Sequence, residues 1–165
     1  MFGGCRDGRG GLEFAQLAEQ QYKQAQAEFL HALTLNPATA TALDLREHLA
    51  FAYQRSGRLD DSVTQLREAV TLAPGDAAPH TLLAQILAQS GHMPEAIAEE
   101  KLALRLHADD ADGWNNLGVF EARSGQTEAA RHDFQQALRI DPNTAQAKAN
   151  LSHLSTKPQA VSTYS

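Results

Sequence analysis

The sequence predicts an all-α fold, a solenoid of stacked antiparallel helix hairpins. Three observations predict it. Ser-Gly pairs stand at Ser56-Gly57, Ser90-Gly91 and Ser124-Gly125, each 34 residues from the next. Other residues keep the same step: Leu49, Leu83 and Leu117; the small Ala50, Ala84 and Gly118; then Ala69, Ala103 and Ala137. Between the glycines, apolar residues recur three and four apart, as in SVTQLREAVTL and EAARHDFQQALRI. That spacing is the signature of an amphipathic helix, and a fixed period of this length marks a repeat array.

Each period reads as two helices of roughly three turns. The Ser-Gly pair joins them, because glycine takes the left-handed conformation that ends a helix. The second helix starts at once, with Asp60, Pro94 or Thr127 in its first turn. The repeats are separated by NP at 36–37, APGD at 73–76, HADD at 107–110 and DPN at 141–143. Proline stops a helix there, and Asp or Asn can cap the next one. Ser62, Ala96 and Ala130 face the small positions of the first helix and allow close approach. Tyr53, Leu66 and Phe134 fill the space beside them. One hairpin cannot bury its apolar face alone, whereas a stack shares a continuous core.

The ends are less regular. Residues 1–11 hold five of the eleven glycines and read as a flexible arm. Residues 12–42 form a degenerate first repeat. Its second helix, YKQAQAEFLHALTLNP, is clear, but Gln20 occupies the place of the elbow glycine. Either the first helix of this repeat is absent or it is fused into one long helix from about Leu12. Three extra residues after Pro37 lengthen the next helix or loosen the joint. Full repeats follow at 43–76, 77–110 and 111–144. Residues 145–157 read as a capping helix with one wet face, and 158–165 as a disordered tail.

Composition narrows the function. The net charge is -6, and the 14 Lys and Arg form no run, which argues against a nucleic-acid partner. Cys5 is the only cysteine, so neither an internal disulfide nor a cysteine metal site can form. No apolar run is long enough to insert in a membrane. The start, MFGGCRDGRGG, lacks the apolar stretch of a signal peptide, which favours a cytoplasmic over a secreted setting. If the chain is a piece of a longer protein, its start carries no information on location.

No chemistry of catalysis assembles. His31, His48, His80, His92, His107, His132 and His153 make no metal-ligand spacing and read as structural or surface groups. Cys5 has no rigid base beside it. Asp60-Asp61, Glu99-Glu100 and Asp109-Asp110 read as helix caps or solvated faces. NLS at 150–152 fits a glycosylation acceptor but lies inside a predicted helix. The expectation is a non-enzyme with no cofactor and no metal.

Segment 111–144 resembles a tetratricopeptide repeat. Trp114, Leu117-Gly118, Gly125, Ala130, Phe134, Ala137 and Pro142 stand at that family's spacing, and Glu121 departs where the family has Tyr. Segment 43–76 is similar through Leu49, Ala50, Tyr53, Gly57, Ala69 and Pro74, with Arg46 at the Trp position. Segment 77–110 departs more, with His80 at the Trp position, Glu100 at the Phe position and Ala108 at the Pro position. The resemblance implies a right-handed superhelix whose first helices line a concave groove for a protein or peptide partner.

By that resemblance the groove residues are Asp44, Glu47, His48, Phe51, Gln54 and Arg55 in the first full repeat. Ala78, Thr81, Leu82, Gln85 and Gln89 follow in the second, and Asp112, Asn115, Asn116, Val119 and Arg123 in the third. Asn150 and His153 come from the capping helix. Asn116 and Asn150, 34 apart, form the start of an amide ladder suited to a peptide backbone. Arg55, Arg123 and Glu47 give the groove both charge signs. The groups with which some members clamp a C-terminal carboxylate are not reproduced: Glu47, Phe51 and Asp112 stand where Lys, Asn and Lys are needed. The implied function is a non-catalytic protein-interaction module. The alternative is a self-association or docking domain of a larger protein, favoured by the missing N-terminal cap.

Overall fold

Gly57, Gly91 and Gly125 have φ of 73°, 88° and 79°, in the left-handed region that a β-carbon disfavours. Two backbone bonds close the preceding helix at each. Arg58 N–H donates to Tyr53 O at 2.9 Å and Gly57 N–H to Gln54 O at 3.0 Å. His92 to Leu87 at 2.8 Å and Gln126 to Glu121 at 2.9 Å repeat the pattern, which is the Schellman ending. A β-carbon at these glycines would meet nothing within 4 Å, so the demand is for conformation and not for space. Gly125→Ala is expected to cost about 1 kcal/mol in thermal unfolding, and a variant as stable as the parent would contradict the strain.

The computed structural model describes the backbone of residues 9–156 and the side chains of 18–154. Among the described residues there are eight helices and no strand. They are α1 (Arg9–Thr34), α2 (Thr39–Arg55), α3 (Leu59–Leu72), α4 (Ala77–Gln89), α5 (Met93–Leu106), α6 (Ala111–Arg123), α7 (Thr127–Ile140) and α8 (Ala145–Thr156). The arm expected over 1–11 lies outside the described residues except for 9–11, which already belong to α1. The tail expected over 158–165 lies outside them too.

The chain divides into two compact units, 1–73 and 74–165. In the first, α1 is unbroken from Arg9 to Thr34, since no glycine near Gln20 offers an elbow. It ends where Asn36 takes φ of 52° before Pro37. The extra residues after Pro37 lengthen α2, which has 17 residues against 13 in α4 and in α6. Leu49, Ala50, Ala52, Tyr53, Leu66 and Ala69 form the core between α2 and α3. Burying a side chain as large as Leu49 or Leu66 stabilises by about 1.5–3 kcal/mol. Ser62 Oγ donates to Ala50 O at 2.8 Å across this contact. Buried Gln26 ties α1 to the end of α2, donating to Ala52 O at 3.1 Å and to Ser56 Oγ at 2.8 Å.

In the second unit, α4 pairs with α5 and α6 with α7, while α8 packs on α7. The core holds Leu83, Leu87, Ala96, Ala103, Leu104, Leu117, Phe120, Ala130, Phe134, Ala137 and Ala147. Asp76 caps α4, accepting from Ala78 N–H at 3.0 Å, whereas Asp110 precedes α6 without a side-chain cap bond. Gly118 is required for space. A β-carbon there would lie 2.6 Å from Phe134 Cε1 and 3.1 Å from Ala130 O.

Candidate interaction surface

The predicted groove residues fall into two groups, one in each unit. On α2 of the first unit, Asp44 and Arg55 are exposed, Glu47 and Gln54 half-buried, and Phe51 is 55% exposed. His48 Nδ1 lies 2.7 Å from Asp44 O, and its ring contacts Phe29 at 5.9 Å. Arg55 leans on α1, with Nε donating to Tyr22 Oη at 3.2 Å and its guanidinium over the Tyr22 ring. α1 therefore steadies two of the six α2 side chains, and Phe51 is left as the large apolar group in water.

In the second unit, Val119, Arg123, Asn150 and His153 line one hollow of about 160 Å³ together with Ala122, Phe134 and Leu154. Ala78, Thr81 and Leu82 line a second hollow of about 420 Å³ with Asp76, Ala77, His107 and Asp110. Gln85, Gln89 and Asp112 are exposed on the same helices, α4 and α6. Arg123 is anchored by a bond from Nη2 to Ala88 O at 3.3 Å.

The two asparagines 34 apart are not equivalent in the fold. Asn150 Nδ2 donates to Asn115 Oδ1 at 3.0 Å, and Asn115 is 5% exposed. Asn116 is half-buried and its amide sits near the carboxyl of Glu100. The Glu100 carboxyl, at the Phe position, lies beside that amide. The Asn115–Asn150 bond joins α6 to α8, while Asn116 lies by Glu100.

Three acids are buried, and two of them, Glu100 and Glu121, lie where the period places core residues. Glu100 is 0% exposed, and neither carboxyl oxygen has a hydrogen-bond partner. Burial pushes it up to about 8, Asn116 opposes the rise, and nearby Asp110 adds to it. Glu121, at the Tyr position, is also buried and holds Lys101 Nζ at 2.8 Å. Asp133 is pushed up to about 6 by burial, with His132 opposing and the Glu121 carboxyl adding to the rise. Glu100 and Glu121 were visible in the sequence as departures from the repeat, and a charged residue at a core position is the signal. Nothing marked Asp133.

Among the described residues no group of three His, Cys, Asp or Glu is placed to hold a metal ion. No helix among them is long and apolar enough to cross a membrane.

Comparison with solved structures places this arrangement. YrrB, described as a TPR protein with an unusual peptide-binding site, superposes with a TM-score of 0.70 at 23% identity, covering 81% of this chain and 67% of its own. MamA gives 0.67 at 19%, covering 93% and 84%. The second TPR domain of human RPAP3, solved with the HSP70 peptide SGPTIEEVD, gives 0.69 at 16%, covering 73% and 100%. No curated protein matches the chain. At these identities the likeness speaks to fold. Two family models described as tetratricopeptide repeat match residues 49–111 and 83–152. They overlap and together run from 49 to 152, more than half of the chain, across all three left-handed glycine elbows. The chain belongs to the tetratricopeptide repeat family.

Proposed function

We propose that the chain is a non-catalytic interaction module that holds a peptide or helix of a partner protein on the first helices of its hairpins. The observation that carries this reading is the hollow between α6 and α8, where Val119 and Leu154 lie beside Arg123, Asn150 and His153. Apolar walls with a few convergent polar groups are what a side chain of a bound segment requires. Gln85 and Asp112 extend the polar surface along α4 and α6. Solved relatives of this fold hold peptides, as the RPAP3 domain holds SGPTIEEVD, which supports the class of ligand. An acidic tail of that kind is not the expected ligand, because Glu47, Phe51 and Asp112 stand where the clamp needs Lys, Asn and Lys.

Peptide display tests the reading. The wild type is expected to enrich a common motif. Gln85→Ala, Arg123→Ala and His153→Ala combined should weaken the enriched peptide at least about tenfold with thermal unfolding little changed. These three side chains are exposed, which makes them better probes than Asn115 and Asn116. Equal affinity in the triple variant would reject the surface.

The second reading is self-association or docking to a larger protein. It rests on Leu30, 43% exposed on α1, and Leu35, 71% exposed just beyond it. Light scattering over a concentration series decides it, and a monomer throughout excludes self-association.

A further inference from the structure

Two positions face each other across every hairpin, and in the third hairpin their pairing breaks. In the first, Arg46 Nη1 donates to Gln65 Oε1 at 3.0 Å and also pairs with Glu68. In the second, His80 Nδ1 lies 2.7 Å from Glu99 Oε2. The same positions 34 residues on hold Trp114 and Asp133. Trp114 turns its Nε1–H to Ala108 O at 2.9 Å, so Asp133 has no basic residue in the place where Arg46 and His80 stand. A cavity of about 420 Å³ lies there, lined by Trp114, Leu104, Leu117, Ala129, Glu121 and Asp133 among others.

Two buried carboxyls and two cations, Lys101 and Arg105, line the cavity, and Lys101 is ion-paired to Glu121. Lys101 Nζ reaches Glu121 Oε1 at 2.8 Å. Glu121 Oε2 is buried and has no hydrogen-bond partner. His132 Nδ1 lies 2.9 Å from Asp133 Oδ1, but its ring is largely in solvent. The charged and titratable groups around Asp133 are Lys101 and Arg105 from α5, Glu121 from α6 and His132 from α7. α8, which also packs on α7, contributes none to the lining.

The geometry points to this cavity as the seat of one arginine side chain from a partner protein. Its guanidinium takes the place that Arg46 fills in the first hairpin, donating to Asp133 beside the Glu121 carboxyl. A planar head with five donors suits two adjacent carboxylates better than a point charge does. Leu104, Leu117 and Ala129 line the stem, and the Trp114 face attracts the cation. The surface is separate from the one proposed for the peptide and does not depend on it. A proton is the competitor: burial and Glu121 raise Asp133 to about 6, so below that pH the pair is closed by a hydrogen ion.

Trp114 is the only tryptophan, so its fluorescence reports on the cavity. The probes are N-acetyl-arginine methylamide and its uncharged isostere N-acetyl-citrulline methylamide. The arginine probe is expected to give a saturable change at millimolar concentration near pH 7.5, and citrulline none. Affinity should fall about tenfold or more on going to about pH 5, and likewise in Asp133→Asn. Ala129→Leu, which fills the cavity and keeps both carboxyls, should abolish the response. Circular dichroism shows whether each variant folds. If Asp133→Asn does not, Ala129→Leu and the citrulline control still decide. Equal responses to the two probes, an unchanged response in Ala129→Leu, or no saturable response overturns the assignment.

Discussion

Glu100→Leu is expected to make the protein more stable by several kcal/mol at pH 8 and to change little at pH 4.5. The native carboxyl is wholly buried, both oxygens lack hydrogen-bond partners, and burial raises it from 4.5 to about 8. In the unfolded chain it ionises near 4.5. Between those values the folded protein holds a proton that the unfolded chain has lost, so stability falls as pH rises, by about 1.4 kcal/mol per unit. Below 4.5 the penalty is absent, and above about 8 it is fully incurred. Asp133, raised from 3.8 to about 6, adds a smaller loss of the same sign at lower pH. Glu100→Gln keeps the shape and removes the titration, so its stability should be nearly flat between pH 6 and 8. Chemical denaturation across that range checks both variants. A wild type whose stability does not fall from pH 5 to 8 would show that Glu100 is not held neutral in the fold.

The second large effect concerns Gly118 and Phe134. Phe134 is 1% exposed, and its ring lies where any side chain at 118 would point. Phe134→Ala should cost about 3–5 kcal/mol through the cavity it leaves. Gly118→Ala should cost about 1–3 kcal/mol, because the ring is pinned by the core and the Ala130 carbonyl cannot yield. The two changes should not add. In a Phe134→Leu background the added methyl has room, and the cost of Gly118→Ala should shrink by more than 0.5 kcal/mol in a double-mutant cycle, about the scatter expected of independent sites. Additive costs would mean that the helices part rather than the ring.

The fold was legible because its main signals are local. Glycine elbows reflect one residue's backbone, and Gly57, Gly91 and Gly125 carry that signal in the residue type alone. The start of the array was less legible for the same reason: with no glycine near Gln20, a fused helix and a missing one look alike in sequence, and α1 shows the fused form. Site residues depend on how helices cross. Asn116 and Asn150 match at the period, yet Asn150 meets Asn115 and Asn116 lies by Glu100. Asp133 gave no sign in the sequence, since its environment comes from Glu121 on one neighbouring helix and an absent basic partner at Trp114. Departures from the repeat at Glu100 and Glu121 pointed to the right places, but only the packing shows that these carboxyls are buried.

On the proposed reading, a partner segment lies on the exposed faces of α4, α6 and α8. Amide chemical-shift mapping with a display-selected peptide tests it most directly. Perturbations are expected at Gln85, Val119, Arg123, Asn150 and His153, with α3 and the outer surfaces of α5 and α7 quiet. A peptide that binds tightly while shifting only those outer surfaces, and leaves Val119 to Arg123 unmoved, would contradict it.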